Sequence, residues 1–396
     1  MYMKVFLYLL FTFSASSLLG QEMYWETPAK YITSFPFKQL SGGVMLVKAK
    51  FGDVKDTFNF ILDTGSSGIS LDSGTAEKYS IPHVPSGRYL YGIAGVRKVD
   101  FAPHQNLFFP GLTVDSLDFY INNYEVLTQV YGMQIDGIIG YSFLSRYIVK
   151  VDFDSLKISV FTSGYMTYPP RGILLHPVFK GLPTIPLILK DAKSYTQNYF
   201  FDTGAGLCFL LSKNFVEDSS ILLKKRKPVP IEVQGMGGKK RMGLTIIKEL
   251  QIGNYKFRKV PTYLYDDEYN ILAYPQRAGL IGDDLLRRFN LLIDYPHKRI
   301  HLTPNSHFRD QFDYSYTGLT MYKLDSTVYI DDIVKGSPAD RAGLKNGDIV
   351  MGIDNNFSGD VEIYKNLLQK SGFKINILIV RNGKPSILYI RIGTIK

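Results

Sequence analysis

Apolar and polar residues alternate along most of this chain in short runs broken by Gly, Asp, Asn and Pro, the period of half-buried strands rather than of helices. Val44-Met45-Leu46-Val47-Lys48-Ala49-Lys50 and Phe58-Asn59-Phe60-Ile61-Leu62 read as two strands joined by turn chemistry at Gly52-Asp53. The second runs straight into Asp63-Thr64-Gly65-Ser66. A strand resumes at Ile69-Ser70-Leu71, residues 73–79 fit one short helix, and residues 88–97 make a glycine-rich hairpin with a flexible tip. Residues 107–121 continue the strand pattern. Asp136-Gly137-Ile138-Ile139-Gly140 then precedes a short helix at 142–147 and a hairpin formed by 148–153 and 157–161. Ahead of all this, the Pro-containing segment Tyr31-Ile32-Thr33-Ser34-Phe35-Pro36-Phe37 is expected to dock as an edge strand.

The same order then returns. Strands at 185–189 and 199–201 lead to Asp202-Thr203-Gly204-Ala205, and Val233-Gln234-Gly235 opens a second glycine-rich hairpin. Leu280-Ile281-Gly282 echoes Ile138-Ile139-Gly140, residues 285–289 echo the short helix, and 290–295 with 299–302 form the closing hairpin. Asp202 follows Asp63 by 139 residues and Gly282 follows Gly140 by 142, so the features recur at a nearly constant offset, as an internal duplication requires. A polar stretch at 304–315 marks a linker to a tail of different pattern. That tail reads as a strand at 329–333, a turn, short helix and turn over 336–348, a strand at 349–354, helical spacing over 362–370, and two strands at 374–381 and 386–392.

Length and composition narrow the picture. At 396 residues the chain suits two or three domains, and the richness in Tyr, Phe and Gly favours a β-dominated protein. The net charge of +10 is spread along the chain, so no nucleic-acid partner is expected, and Lys224-Lys225-Arg226-Lys227 reads as a solvated loop. Residues 1–20 have a Lys, an apolar run too short to span a bilayer, and then small residues, the pattern of a cleavable export signal. Gln21 stands where a lipoprotein needs Cys, so a periplasmic or extracellular protein with no lipid anchor and no membrane span is expected. Cys208 is the single cysteine and sits between Leu207 and Phe209, which makes it a buried small hydrophobe rather than a nucleophile. The expected division is a signal at 1–20, duplicated lobes at 21–165 and 166–303, a linker at 304–315 and a third domain at 316–396.

One Asp-Thr-Gly is only a turn. Two, each at the end of an apolar strand in a duplicated frame, point to a shared pair of carboxylates. Two such groups held about 3 Å apart cannot both ionise, so one keeps its proton while the other is charged, and the pair is acid and base together. The pattern over residues 40–303 resembles the bilobal pepsin- and retropepsin-like aspartic peptidases. The resemblance implies a mainly β fold with two homologous barrel-like lobes, and an endopeptidase in which Asp63 and Asp202 activate a water against a polypeptide substrate. It assigns the cross-lobe bonding to Thr64 and Thr203 and the tight turns to Gly65 and Gly204. Ile138, Ile139, Gly140, Leu280, Ile281 and Gly282 become the backing of a psi-shaped motif, and Tyr89 or Tyr91, with Gly92, the flap. Ser66 against Ala205 is the asymmetry between the copies: Ser66 is expected to donate to the outer oxygen of Asp63 and favour its charged form. One chain supplies both acids, so a monomer suffices.

Gly336-Ser337-Pro338-Ala339, Ala342-Gly343-Leu344 and Gly347-Asp348 resemble the PDZ domains of bacterial exported proteases, a small α+β fold. That resemblance implies a peptide groove for a C-terminal or internal segment, with Gly318, Leu319 and Thr320 in the carboxylate-binding loop and the helix at 362–370 as its wall. Thr320 departs from the usual second Gly, which leaves free C-terminus recognition and a regulatory packing on the lobes both open. No metal or cofactor is expected: His297 and His301 lie on a hairpin with no Cys or acidic cluster beside them. The rival to the enzyme is a catalytically inactive peptide-binding module with the same cleft.

Overall fold

The computed structural model describes residues 26–93, 95–235 and 238–396. The expected export signal lies outside them. Strands dominate, and the duplicated pattern builds two closed barrels of the same order. In the first, Met45–Phe51, Thr57–Leu62, Gly137–Ile139, Ile69–Asp72, Leu112–Asn122 and Gly95–Phe109 follow one another, and the ring closes through Lys50 against Phe108 and Phe51 against Leu107. In the second, Leu182–Lys190, Ser194–Phe201, Gly279–Ile281, Phe209–Ser212, Tyr255–Tyr265 and Gly238–Ile252 repeat it, closing through Ile188 against Gln251. Closure removes free sheet edges, and the inward alternation of Phe, Leu and Ile fills each interior.

A further sheet ties the lobes together. The closing hairpins meet where Tyr147–Asp152 runs antiparallel to Phe289–Asp294, with Leu291 opposite Val151. Tyr31–Gln39 also joins this sheet, but not as an edge strand. Residues 31–36 pair with Lys157–Thr162 and residues 37–39 with Met45–Phe51, so the strand is interior and hands over from one neighbour to the next. Pro36, which has no N–H to donate, stands at the handover, which is how a proline fits inside a sheet.

The tail folds separately as a five-stranded sheet, ordered Leu319–Leu324, Thr327–Ile333, Ile349–Ile353, Lys374–Arg381 and Lys384–Arg391, with short helices Pro338–Arg341 and Val361–Leu367. Met321, Val328, Ile330, Ile353, Tyr364 and Ile377 form its core. Arg381 clasps buried Asp348 with two bonds of 2.6 and 2.7 Å, fixing the Gly347-Asp348 turn. Two α-helices have no counterpart in the sequence-based reading: Glu125–Tyr131, ended by Gly132 at φ 64°, and Lys213–Ser219.

His297, at the turn of the second closing hairpin, bonds Asp294 at 2.7 Å and Glu26 at 2.6 Å. Burial opposes its charge, but the bonds to Glu26 and Asp294 outweigh it and raise its pKa. A raised folded pKa means stabilisation that is full below the unfolded value of about 6.5 and is lost as pH climbs through the folded value. His297→Gln should therefore lower the melting temperature more at pH 6 than at pH 9, and an equal loss at both would remove the charge from this account.

Candidate active site

Each barrel delivers its Asp-Thr-Gly turn at the end of a buried strand, and the interlobe contact brings the two turns face to face. The threonines do the joining. Thr64 N donates to Thr203 Oγ1 at 3.1 Å and Thr203 N to Thr64 Oγ1 at 3.0 Å, while the hydroxyls donate onward to Phe201 O at 2.7 Å and Leu62 O at 3.1 Å. Both threonines are fully buried, so all four bonds are shielded from water. The glycines follow from the same closeness: a Cβ on Gly65 would lie 2.5 Å from Asp202 Cγ, and one on Gly204 would lie 2.3 Å from Asp63 Cγ. Each turn thus rests its glycine against the other's carboxylate.

The psi-shaped backing is present in both lobes. Gly137–Ile139 lies parallel to the strand before Asp63 and antiparallel to the strand after it, and Gly279–Ile281 does the same around Asp202. Asp63 N donates to Ile139 O at 2.9 Å and Asp202 N to Ile281 O at 3.1 Å, which sets the height of each acid. Gly140 and Gly282 then pass beneath the turns, so close that a Cβ would meet Ser66 O at 2.5 Å and Leu207 O at 2.2 Å.

Burial pushes both acids up, Asp63 most, and the charge of Asp202 adds to it. The bond they share raises Asp63 and lowers Asp202. Asp202 Oδ1 accepts from Gly204 N at 2.9 Å and Ala205 N at 3.1 Å, and Asp63 Oδ1 accepts from Gly65 N at 2.6 Å, with the Gly204 amide also favouring the charged form of Asp63. The side-chain bond expected of Ser66 is not made. Ser66 bonds Asp63 only through backbone, its N to Asp63 O at 3.4 Å, and no hydrogen bond joins its hydroxyl to the Asp63 carboxylate among the described residues. A main-chain amide at Ala205, which sequence cannot rank, favours the charge on Asp202 instead.

The first glycine-rich hairpin, Val84–Gly92 with Gly95–Phe109, reaches across to the second lobe, where Tyr265 Oη donates to Ile93 O at 2.7 Å and Ile93 packs against the apolar cluster around Phe200 and Leu280. Tyr89 and Tyr91 share one face of their strand and are 56% and 62% exposed, so the lobe-to-lobe contact belongs to Ile93 rather than to either tyrosine. Period-two alternation could have shown that both face the same way, but not which way. Sequence reasoning also missed Asp283, fully buried, with neither oxygen hydrogen-bonded among the described residues. Burial, then the Asp202 charge, raises its pKa well above the usual range, behind the Asp202 turn. The signal was available: the residue after Gly282 is Asp, whereas the residue after Gly140 is Tyr141. Tyr295, which donates to Thr64 O at 3.4 Å, is a further unforeseen buried neighbour.

Gly318, Leu319 and Thr320 lie together at the start of the tail's edge strand, bordering a cavity of about 70 Å³ shared with Ile231, Glu232 and Asp332. Cys208 is buried and donates to Asp284. Among the described residues no group of three or more His, Cys, Asp or Glu is arranged to hold a metal ion, and no helix is long and apolar enough to cross a membrane.

Two barrels, two interlocked Asp-Thr-Gly turns and two psi-shaped backings define the bilobal aspartic peptidase class. An aspartyl protease family model matches residues 47–143 and again 190–285, and a PDZ domain model matches 329–381. The chain therefore carries two retropepsin-like repeats of the aspartyl protease family followed by a C-terminal PDZ domain. Curated relatives are a protein of Thermotoga maritima named as a zinc metalloprotease, 42% identical over 59 residues, and the serine proteases Do-like HtrA and HtrB of Bacillus subtilis, 29% identical over 107 residues and 31% over 113. These matches cover 15%, 26% and 27% of this chain, and the chain spans only 12%, 23% and 24% of the relatives' lengths. Protease domains and protease relatives agree on a peptidase.

Replacing Thr203 with Val would strand the buried Thr64 N–H and Leu62 carbonyl. The expected loss is about 2–4 kcal/mol in chemical denaturation, with Thr203→Ser recovering most of it.

Proposed function

We propose that the protein is an exported aspartic endopeptidase in which Asp63 and Asp202 hydrolyse peptide bonds through one water. The interlocked turns carry this reading, since they hold two buried carboxylates of one chain in a single site; on this reading Asp63 carries the proton and Asp202 the charge. Asp202 takes a proton from the bridging water as it attacks the scissile carbonyl. Asp63 donates its proton to the carbonyl oxygen and relieves the developing charge. Proton return to the departing amine completes hydrolysis without a metal or covalent intermediate in the scheme. The Ile93 hairpin covers the cleft and excludes water from the reacting bond. Both acids come from one chain, so a monomer is the catalytic unit. The apolar run and small residues within 1–20 support export.

Asp63→Asn and Asp202→Asn, each tested with unfolded protein as substrate, should lose about 10²- to 10⁴-fold in turnover. Wild type no more active than both variants, but still able to bind peptide, would leave the inactive binding module as the answer.

Activity should also follow the pair's ionisation. It rises as Asp202 loses its proton and falls as Asp63 loses its own, so with both pKa values raised the bell lies above the ordinary carboxylate range near 3.9. A rate that peaks below that range would contradict the assignment.

A further inference from the structure

The PDZ domain does not stand apart from the peptidase. Its edge strand Leu319–Leu324 and helix Val361–Leu367 are the two walls of the expected peptide groove, and the N-lobe helix Glu125–Tyr131 packs against both. Gly132, which ends that helix, comes so near that a Cβ there would lie 2.6 Å from Val361 Cγ1 and 3.3 Å from Lys323 Cδ. Lys365 Nζ caps the Val130 carbonyl in the helix's last turn and lies 5.7 Å from the centre of the Tyr131 ring. The edge that an added strand would need is covered by this chain itself. The loop at Gly318–Thr320 is no better placed for a free carboxylate, because Glu232 Oε1 and Asp332 Oδ2 beside its cavity have no hydrogen-bond partner among the described residues.

The contacts continue to the catalytic turn. Glu362, in the first turn of the PDZ helix, accepts from Ser41 N at 2.7 Å and Ser41 Oγ at 3.1 Å, and pairs with Lys365 at 3.2 Å. Ser41–Gly43 is a single tight turn, with Gly42 at φ 73°. A Cβ on Gly42 would lie 2.2 Å from the carbonyl oxygen of Gly206, and one on Gly43 would lie 2.7 Å from that of Asp283. Gly206 follows directly on Gly204 and Ala205, whose amides hold the Asp202 carboxylate. On the strand neighbouring Leu319–Leu324, Asp331 accepts from Gln234 at 2.7 Å and pairs with Lys239, tying the second hairpin to the same body.

We propose that the PDZ domain is an intramolecular clasp for the second catalytic turn, and that Glu362 and Lys365 are positioning residues for Asp202 acting through Ser41, Gly42 and Gly206. The proposal rests on the peptidase reading for its kinetic arm only. In the full chain, Glu362→Ala should lower kcat about three- to tenfold with KM changed less than twofold. Glu362→Gln should restore much of it, since the amide oxygen still accepts from Ser41 N, and Lys365→Met should resemble Glu362→Ala. Hydrogen exchange supplies a readout independent of turnover: the Gly204 and Ala205 amides should exchange faster in Glu362→Ala, while Ile377 and Ile379 in the PDZ sheet stay as protected as in wild type. Wild-type kcat with unchanged exchange at 204 and 205 would overturn the clasp. So would faster exchange that includes Ile377 and Ile379, which would make Glu362 a determinant of domain stability alone. A wild type without turnover defeats the peptidase reading, and the exchange experiment still decides the clasp.

Discussion

Four hydrogen bonds between Thr64, Thr203 and the strands behind them constrain the molecule more than any other contact. They join the two barrels through their Asp-Thr-Gly turns and are buried, so neither turn can move without leaving a backbone group unpaired. The requirement for glycine at 65 and 204, the height of the carboxylates above the psi strands and the sharing of one proton all follow from how tightly this junction is drawn.

Duplication gives the two halves equal scaffolds, but chemistry needs them unequal. The inequality is small and local. The Ala205 amide donates to Asp202, and a buried acid at 283 stands where the first lobe has Tyr141. The hairpins diverge in the same manner: the first lays Ile93 on the opposite lobe, whereas the second is tied to Asp331 and Asp332 of the PDZ domain. One duplicated element lies on the opposite lobe and the other on the PDZ domain.

The PDZ domain extends this logic. Its fold supplies a groove and an open strand edge, features that elsewhere receive a separate peptide. Here the groove holds the short helix Glu125–Tyr131, and the helix wall reaches the turn pressed on Gly206. A receptor surface turned inward stiffens the structure that carries the charged aspartate.

Sequence alone determined a great deal. Apolar strands ending in Asp63 and Asp202, with Ile138-Ile139-Gly140 and Leu280-Ile281-Gly282 at matching offsets, were legible because period-two alternation and turn residues are local signals. The PDZ signature was legible for the same reason. Tertiary structure decided the rest, because it depends on which surfaces meet. Tyr31–Gln39 became an interior strand because two neighbours claim its two halves. Ile93 rather than Tyr89 or Tyr91 met the second lobe, because Ile93 lies in the turn beyond the strand Val84–Gly92, where alternation no longer sets the direction of a side chain. The helix Glu125–Tyr131 carried too short a pattern to be read and took its place by filling a groove more than 180 residues further along the chain. The amides that meet the Asp202 carboxylate, at Gly204 and Ala205, are groups that every residue but proline possesses and that only the folded turn can aim.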